Sequence, residues 1–160
     1  FYGRDPDGAM FENEILEMQP PPAFDSRVGH VGMAVADIDR TLTFYTELLG
    51  KPPRERRSNL ARPSLDQVAD LDNLQLDVAW YTIGNMDLEV WEYVNPPPVP
   101  LAAPRPVNAP GWSLIVFEVS DVDAAAARLT AAGGRLEGRP AAVDGGRIAY
   151  GRDLDGNLLG

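Results

Sequence analysis

A single histidine, His30, is the residue with the clearest chemical potential in this 160-residue sequence. With one histidine and no cysteine, the chain excludes a two-histidine site within one chain, a thiolate zinc site, a cysteine nucleophile and a disulfide framework. His30 could act as a metal ligand or as an acid–base group, and Glu89 lies in an apolar segment that is typical of a strand.

The candidate residues can be grouped by the face of the strand that carries them, because successive side chains of a strand face opposite sides. If Glu89 faces a concave surface, Trp91 and Tyr93 face it too and form an aromatic wall. Strand parity does not place Trp80 or Trp112 on the concave surface, and we expect both side chains in the core. On a later apolar segment, the same parity groups Leu114, Val116 and Glu118 on the concave side.

Two segments of similar pattern position these side chains. GHVGMAVADIDRTLTFYTELLG spans 29–50 and WSLIVFEVSDVDAAAARLTAAGG spans 112–134, with landmark residues 84 positions apart. Each predicts a short apolar strand, an aspartate, a helix with one apolar face, and a glycine. We expect Asp37 and Asp121 to cap the two helices rather than to bind metal, and Gly50 to end the first helix.

Further strands follow each helix. They are predicted over 76–83 and 87–94, with a hairpin turn at Gly84-Asn85, and over 147–151 and 157–159, with a turn at Asp155-Gly156. The polar residues 54–75 predict a loop with one weak strand or helix. The pattern as a whole predicts an α+β fold, in which paired βαβββ modules form a cupped, barrel-like sheet with the helices outside.

Proline marks the boundaries between these parts, because proline-rich segments neither pair as central strands nor continue helices. The length predicts one domain overall. Pro20, Pro21 and Pro22 separate a short N-terminal segment from the rest. Within the domain we assign 1–19 to an extra strand segment, 27–94 to the first module, 95–110 to a Pro-rich linker and 111–160 to the second module.

The N-terminal segment repeats the end of the chain. Asp5-Pro6-Asp7-Gly8 matches Asp153-Leu154-Asp155-Gly156, 148 positions later, and in that register Glu12 matches Gly160. Two explanations are open: the segment is the tail of an upstream module in a longer tandem protein, or it fills the last-strand position of this same cup, by permutation or by exchange between two chains. The second is favoured, since an open sheet edge is a liability.

The charge balance excludes several classes of partner. Fourteen basic and 24 acidic residues give a net charge of −10, which argues against nucleic acid and against an anionic membrane surface. No apolar stretch approaches the ~20 residues of a membrane span, and no N-terminal signal is visible. We therefore expect a cytoplasmic protein whose partner is a small molecule.

These segments resemble the vicinal oxygen chelate superfamily, which includes glyoxalase I, methylmalonyl-CoA epimerase, extradiol dioxygenases, and the fosfomycin and bleomycin resistance proteins. The first repeat is similar to the family's opening strand and helix, above all those of glyoxalase I and the epimerase. IGNMDLEVWEY and GRIAYGRDLDGNLLG resemble its first-module closing strand and its final hairpin. The family takes one metal ligand from each of four strands, which implies His30 and Glu89 as ligands. Leu114 and Gly160 stand at the other two positions, and Glu12 is the candidate for the last of these. The implied site of His30, Glu89 and Glu12 with waters is rich in oxygen, which suits Mn, Co, Mg or Fe(II) better than a tight structural zinc.

The resemblance implies a metal-dependent lyase or isomerase acting on a small carbonyl substrate, in which a divalent cation stabilises an enediolate while Glu89 or Glu12 moves the α-proton. It also implies a homodimer. A second class stays open, a metal-free protein that sequesters a small molecule, as the bleomycin resistance proteins do. Leu114, Val116 and the aromatic wall favour this alternative. Extradiol ring cleavage is disfavoured, because its iron site uses two histidines.

Overall fold

The computed structural model describes residues 2–12, 28–99 and 101–160. The boundary predicted at Pro20 to Pro22 and residues 13–19 of the N-terminal segment lie outside them. The strands are β1 Tyr2–Arg4, β2 Met10–Glu12, β3 His30–Val35, β4 Glu55–Leu60, β5 Gln75–Ile83, β6 Met86–Asn95, β7 Leu114–Ile115, β8 Arg135–Leu136, β9 Ala141–Val143, β10 Gly146–Ile148, β11 Gly151–Arg152 and β12 Leu158–Leu159. The helices are α1 Ile38–Leu49, α2 Pro63–Ala69 and α3 Val122–Ala131. The predicted α+β class is confirmed.

The larger strands form a four-stranded sheet in the order β3-β6-β5-β4. At its centre, β5 and β6 form the predicted hairpin, and Gly84 in the turn has a left-handed φ of 56°. Along β6, Leu88 and Val90 are buried while Glu89 and Trp91 are half-buried, which is the alternation expected of a strand with two different faces. The hairpin therefore carries one packed face and one accessible face.

Residues 54–75 contain more regular structure than the predicted loop with one weak element. They form both an edge strand, β4, which pairs antiparallel with β5, and a short helix, α2. The polar sequence of β4 did not predict a strand, because an edge strand leaves many of its side chains in solvent and so lacks an apolar pattern. Helix α2 begins at Pro63, whose fixed φ suits the first helical position.

A second four-stranded sheet has the order β7-β12-β11-β8, and β9 and β10 form a separate hairpin. Its first strand is shorter than the apolar segment 112–119 predicted, since only Leu114–Ile115 pairs regularly. Two further backbone hydrogen bonds extend the pairing, one of 2.8 Å from the Phe117 N–H to the Gly160 carbonyl and one of 2.9 Å from the Gly160 N–H to the Ile115 carbonyl. Trp112 is 75% exposed, so its expected place in the core was wrong.

The two long helices begin at the predicted caps. Side-chain oxygens of Asp37 and Asp121 each accept a hydrogen bond of 2.9 Å, from the N–H groups of Arg40 and Ala124 respectively. Gly50 ends α1 with a φ of 69°. Within the described residues, none of the helices combines the length and apolarity that crossing a bilayer requires.

The chain forms two compact units whose boundaries differ from those of the sequence repeat. The first unit comprises the described residues of Phe1–Ala34 and Arg54–Pro98, and the second comprises Val35–Pro53 and the described residues of Val99–Gly160. Helix α1 therefore groups with α3 and the second sheet. Its Tyr45 hydroxyl donates a hydrogen bond of 2.9 Å to Asp153 in the turn between β11 and β12. The module assignment itself stays a prediction.

Candidate functional site

Three potential metal ligands converge in the first unit. His30 begins β3, Glu89 lies in β6 and Glu12 ends β2. Nε2 of His30 lies 3.4 Å from a Glu89 carboxylate oxygen and 3.5 Å from a Glu12 carboxylate oxygen. One donor atom from each residue lies within 4.8 Å of those of the other two, a grouping that we call the triad. The structure thus brings together all three predicted metal ligands.

The spacing of the triad suits a bound cation. Charge-assisted hydrogen bonds are about 2.7–2.9 Å long, so separations of 3.4 and 3.5 Å are too long for the triad to be held by direct bonds. Ligand atoms about 2.1 Å from one divalent ion lie roughly 3.0–3.5 Å apart. Two carboxylates ~4 Å apart also repel each other by about 4 kcal/mol at an effective dielectric of ~20, and a cation would remove that cost. His30, Glu89 and Glu12 therefore fit a divalent metal.

The triad lies at one end of a row of side chains that crosses the first sheet. Residues directly opposite each other in antiparallel strands share a face. Glu55 on β4 is opposite Trp80 on β5, and Trp80 is opposite Glu89. His30, on the neighbouring strand β3, completes the row beside Glu89. We call this the triad row, and it places Trp80 beside the ligands rather than in the core, contrary to our expectation.

A second row runs parallel to the triad row and is displaced from it by two residues on each strand. Arg57 is opposite Val78, and Val78 is opposite Trp91. The six-membered ring of Trp91 lies over Gly32 on β3, so closely that a Cβ atom on Gly32 would overlap ring atoms Cη2 and Cζ3. Trp91 thus packs across the sheet next to the triad, on the face that parity predicts.

The aromatic wall has two polar features. The Trp91 indole N–H is buried and makes no hydrogen bond with the described residues. Burial raises the pKa of Tyr93, and the neighbouring Trp91 indole, which favours the phenolate, offsets this rise only in part. The indole is close enough to influence the phenol but outside hydrogen-bonding geometry. Tyr93 is therefore a neutral phenol at physiological pH.

Two arginines on the same face were missed by sequence reasoning. The Arg57 guanidinium carbon lies 5.6 Å from the centre of the Trp80 ring, within the range of a cation–π contact. An Nη2–Oδ2 ion pair of 2.9 Å joins Arg54 to Asp87, at the start of β6. The two-residue turn of the hairpin fixed the opposition of Trp80 and Glu89, but the Arg57 contact depends on the pairing of β4 with β5, for which the sequence offered no signal. Arg54 and Arg57 both lie in the polar segment 54–75, in which the sequence predicted a loop with one weak strand or helix.

The remaining predicted site residues lie in the second unit. A Cβ atom on Gly160 would lie 3.4 Å from side-chain atoms of both Leu114 and Val116, so these two share a face, as parity predicted. Val116 and Glu118 line a cavity of about 520 Å³ beside α3, whose walls are mostly aliphatic. Their role as substrate-binding residues stays a prediction.

Comparisons with known proteins agree with this architecture. Residues 27–160 match the family model described as the Glyoxalase/Bleomycin resistance protein/Dioxygenase superfamily. The chain is similar to the crystal structure of a glyoxalase family protein from Bacillus cereus, with 25% identity, a TM-score of 0.75, and coverage of 89% of this chain and 95% of that one. No curated protein has a significantly similar sequence.

Two further structures broaden the comparison. A glyoxalase/bleomycin resistance protein from Albidiferax ferrireducens is 25% identical, with a TM-score of 0.54 and coverage of 84% of this chain and 96% of that one. A glyoxalase I mutant from Zea mays is 20% identical, with a TM-score of 0.59, and matches 99% of this chain but 52% of its own length. From the family match over residues 27–160, together with this shared fold, the chain belongs to the glyoxalase/bleomycin resistance protein/dioxygenase superfamily.

Proposed function

We propose that this protein is a metal-dependent lyase or isomerase acting on a small carbonyl compound, with His30, Glu89 and Glu12 as the metal ligands. The observation that carries the proposal is the convergence of these three donors, with ligand atoms within 4.8 Å of one another. Membership of a superfamily that includes glyoxalases supports the reaction class. One nitrogen and carboxylate oxygens favour Mn, Co, Mg or Fe(II).

The triad leaves room for a substrate to bind beside it. Three protein ligands are fewer than a divalent cation takes, so two vicinal oxygens of a substrate could complete the set. When bound, the cation would supply Lewis-acid stabilisation of the negative charge that develops on those oxygens. Trp80 and Trp91, as neighbours of Glu89 on the same face, would flank the substrate and exclude water.

Of the two carboxylates, Glu12 is better placed to move a proton. Glu89 lies in a strand that is paired on both sides, by β3 and β5. Glu12 ends a two-stranded hairpin, and its side chain is 26% exposed, against 15% for Glu89. We therefore assign removal and return of the substrate α-proton to the Glu12 carboxylate in addition to its place among the metal ligands, while Glu89 and His30 would hold the metal throughout.

The first experiment measures the metal content of the purified protein by elemental analysis after incubation with Mn²⁺ and gel filtration. We expect stoichiometric metal in the wild type and a loss of at least about tenfold in affinity in Glu89→Gln. Glu92→Gln is the matched control, because Glu92 lies on the same strand but on its opposite face. Equal metal binding by the wild type and Glu89→Gln would refute the assignment.

The second experiment measures chemistry at the α-carbon. The Mn²⁺-loaded protein is incubated in D₂O with the hemithioacetal of methylglyoxal or with a methylmalonyl thioester, and deuterium incorporation is followed by NMR. We expect exchange that a chelator abolishes and that Glu12→Gln lowers by about 10²-fold or more. Metal binding without exchange on either compound would remove these two substrates from the proposal.

A second candidate is metal-free sequestration of a small amphipathic molecule. The observation that favours it is the apolar character of the second unit at the two corresponding ligand positions, Leu114 and Gly160, beside an exposed Val116. Equilibrium dialysis of bleomycin against the metal-free protein tests it. Micromolar binding that persists in Glu89→Gln would support sequestration, and the absence of binding would exclude it for this ligand.

A further inference from the structure

Arg57 is a fixed cation on the same face of the sheet as the triad. It belongs to the row next to the triad row, and its guanidinium reaches Trp80, with 5.6 Å between its central carbon and the ring centre. Trp80 in turn is directly opposite Glu89. Because neighbouring strands lie about 4.8 Å apart and β5 lies between β4 and β6, this arrangement places the guanidinium roughly 10 Å from Glu89.

Glu55 orients the guanidinium of Arg57 but does not occupy all of its hydrogen-bond donors. Its Nε and Nη2 atoms each lie 2.6 Å from the same Glu55 carboxylate oxygen. A guanidinium has five N–H donors. Within the part of the chain that the structure describes, the other three N–H groups of Arg57 donate to no acceptor, and the side chain is 49% exposed. Glu55 thus holds Arg57 in place while leaving donors for a ligand.

The charges around the triad favour a role for the Arg57 donors in binding an anionic group. The two triad carboxylates repel an anionic ligand, and a divalent cation between them would cancel that repulsion without attracting a second anionic group. Among the described residues of this face, Arg57 and Arg54 each pair with a carboxylate, of Glu55 and Asp87 respectively, and Arg57 is the one that lies beside Trp80 in the row next to the triad. A substrate lying across Trp80 would reach both the triad and Arg57.

We propose that Arg57 binds an anionic group of the substrate, a carboxylate or a phosphate, while the carbonyl end of the same molecule lies at the triad. This inference rests on the proposed function and narrows its substrate class to small carbonyl compounds that carry a negative charge a few bonds from the carbonyl. Arg57 is then a specificity-determining residue, and Trp80 is the platform along which the substrate lies.

The test uses hydroxamates, whose two vicinal oxygens bind metals, and isothermal titration calorimetry on the Mn²⁺-loaded protein. Succinic monohydroxamate carries a carboxylate, its terminal amide is the neutral isostere, and phosphonoacetohydroxamate carries a phosphonate. We expect the wild type to bind at least one charged probe about tenfold or more tighter than the amide. Arg57→Gln should lose this preference. The larger loss, with the carboxylate or with the phosphonate, identifies the natural group.

Arg56→Gln is the matched control, because Arg56 lies next in sequence but on the other face, 3.7 Å from Asp77. It should keep the wild-type preference, and thermal melts establish that both variants fold. Equal binding of the charged and neutral probes by the wild type, or a preference that survives in Arg57→Gln, would overturn the role of Arg57.

A separate outcome concerns the proposed function alone. If acetohydroxamate, which has no second charged group, fails to bind the Mn²⁺-loaded wild type, the metal assignment fails. Arg57 is still tested by titrating the metal-free protein with succinate and with inorganic phosphate. Weaker binding of either anion to Arg57→Gln than to Arg56→Gln supports the anion site, and equal binding of both refutes it.

Discussion

The six-membered ring of Trp91 fills the space that a side chain on Gly32 would require. Glycine in a strand usually weakens it, so replacing glycine with alanine is expected to stabilise a strand unless the space is taken. Gly32→Ala should instead lower the free energy of unfolding by about 1–3 kcal/mol, because the indole must move. Urea denaturation measures the loss.

The same substitution in a Trp91→Leu background isolates the contact. Leucine lacks the outer ring atoms that meet position 32, so Gly32→Ala should cost less there than in the wild type. An equal cost in both backgrounds would show that the loss arises from the backbone of β3 and not from Trp91.

Trp91 itself should tolerate phenylalanine. Its buried N–H has no hydrogen-bond partner among the described residues, and such a group costs about 1–3 kcal/mol. Trp91→Phe removes that cost while losing some packing, so its net effect should stay below about 1 kcal/mol. Trp91→Ala should cost about 3–5 kcal/mol, because a large cavity remains. Similar losses in both variants would indicate that the N–H is paired in solution.

The Tyr45–Asp153 hydrogen bond should contribute more than the ion pair beside it. Tyr45 is 0% exposed, and its hydroxyl donates a hydrogen bond of 2.9 Å to the carboxylate of Asp153, which is itself buried. Tyr45→Phe should cost about 1.5–3 kcal/mol, as expected for a buried hydrogen bond to a charged group. Arg40→Gln, which removes the more exposed Arg40–Asp155 pair, should cost only ~0–1 kcal/mol. The reverse order in thermal melts would contradict this ranking.

Glu137 should make the stability of the protein sensitive to acid. A hydrogen bond from Arg152, with further attraction from Arg135, lowers the pKa of Glu137 below its ordinary value of 4.5. Its contribution to stability is therefore complete above the unfolded-state pKa and is lost as the pH falls through the lower folded-state pKa. Glu137→Gln should be less stable than the wild type at pH 7, and the difference should shrink at acidic pH. A constant difference from pH 7 to about pH 3 would show that ionisation of Glu137 has no part in it.

The local features of this fold could be predicted from the sequence because they depend on neighbouring residues. Asp37 and Asp121 cap helices through N–H groups three residues away. Strand parity correctly separated Leu88 and Val90 from Glu89 and Trp91, since one buried face fixes the alternation.

The features that escaped prediction depend on pairing between distant segments. β4 has a polar sequence, and it becomes a strand only because the edge of β5 accepts it. The contact of Arg57 with Trp80 follows from that pairing, so no local pattern could have indicated it. β7 likewise pairs regularly with β12 over only two residues, which its longer apolar segment did not indicate. Grouping of α1 with the second unit depends on tertiary contacts such as that of Tyr45 with Asp153.

Because α1 belongs with the second unit, a cut between the two repeats of the amino-acid sequence would divide a compact unit. A fragment ending at Pro98 would retain α1 but not the turn that receives its Tyr45 hydroxyl, and the complementary fragment would have that turn without its helix. Each fragment would therefore lack part of the compact unit that buries Tyr45, and we expect neither to fold alone.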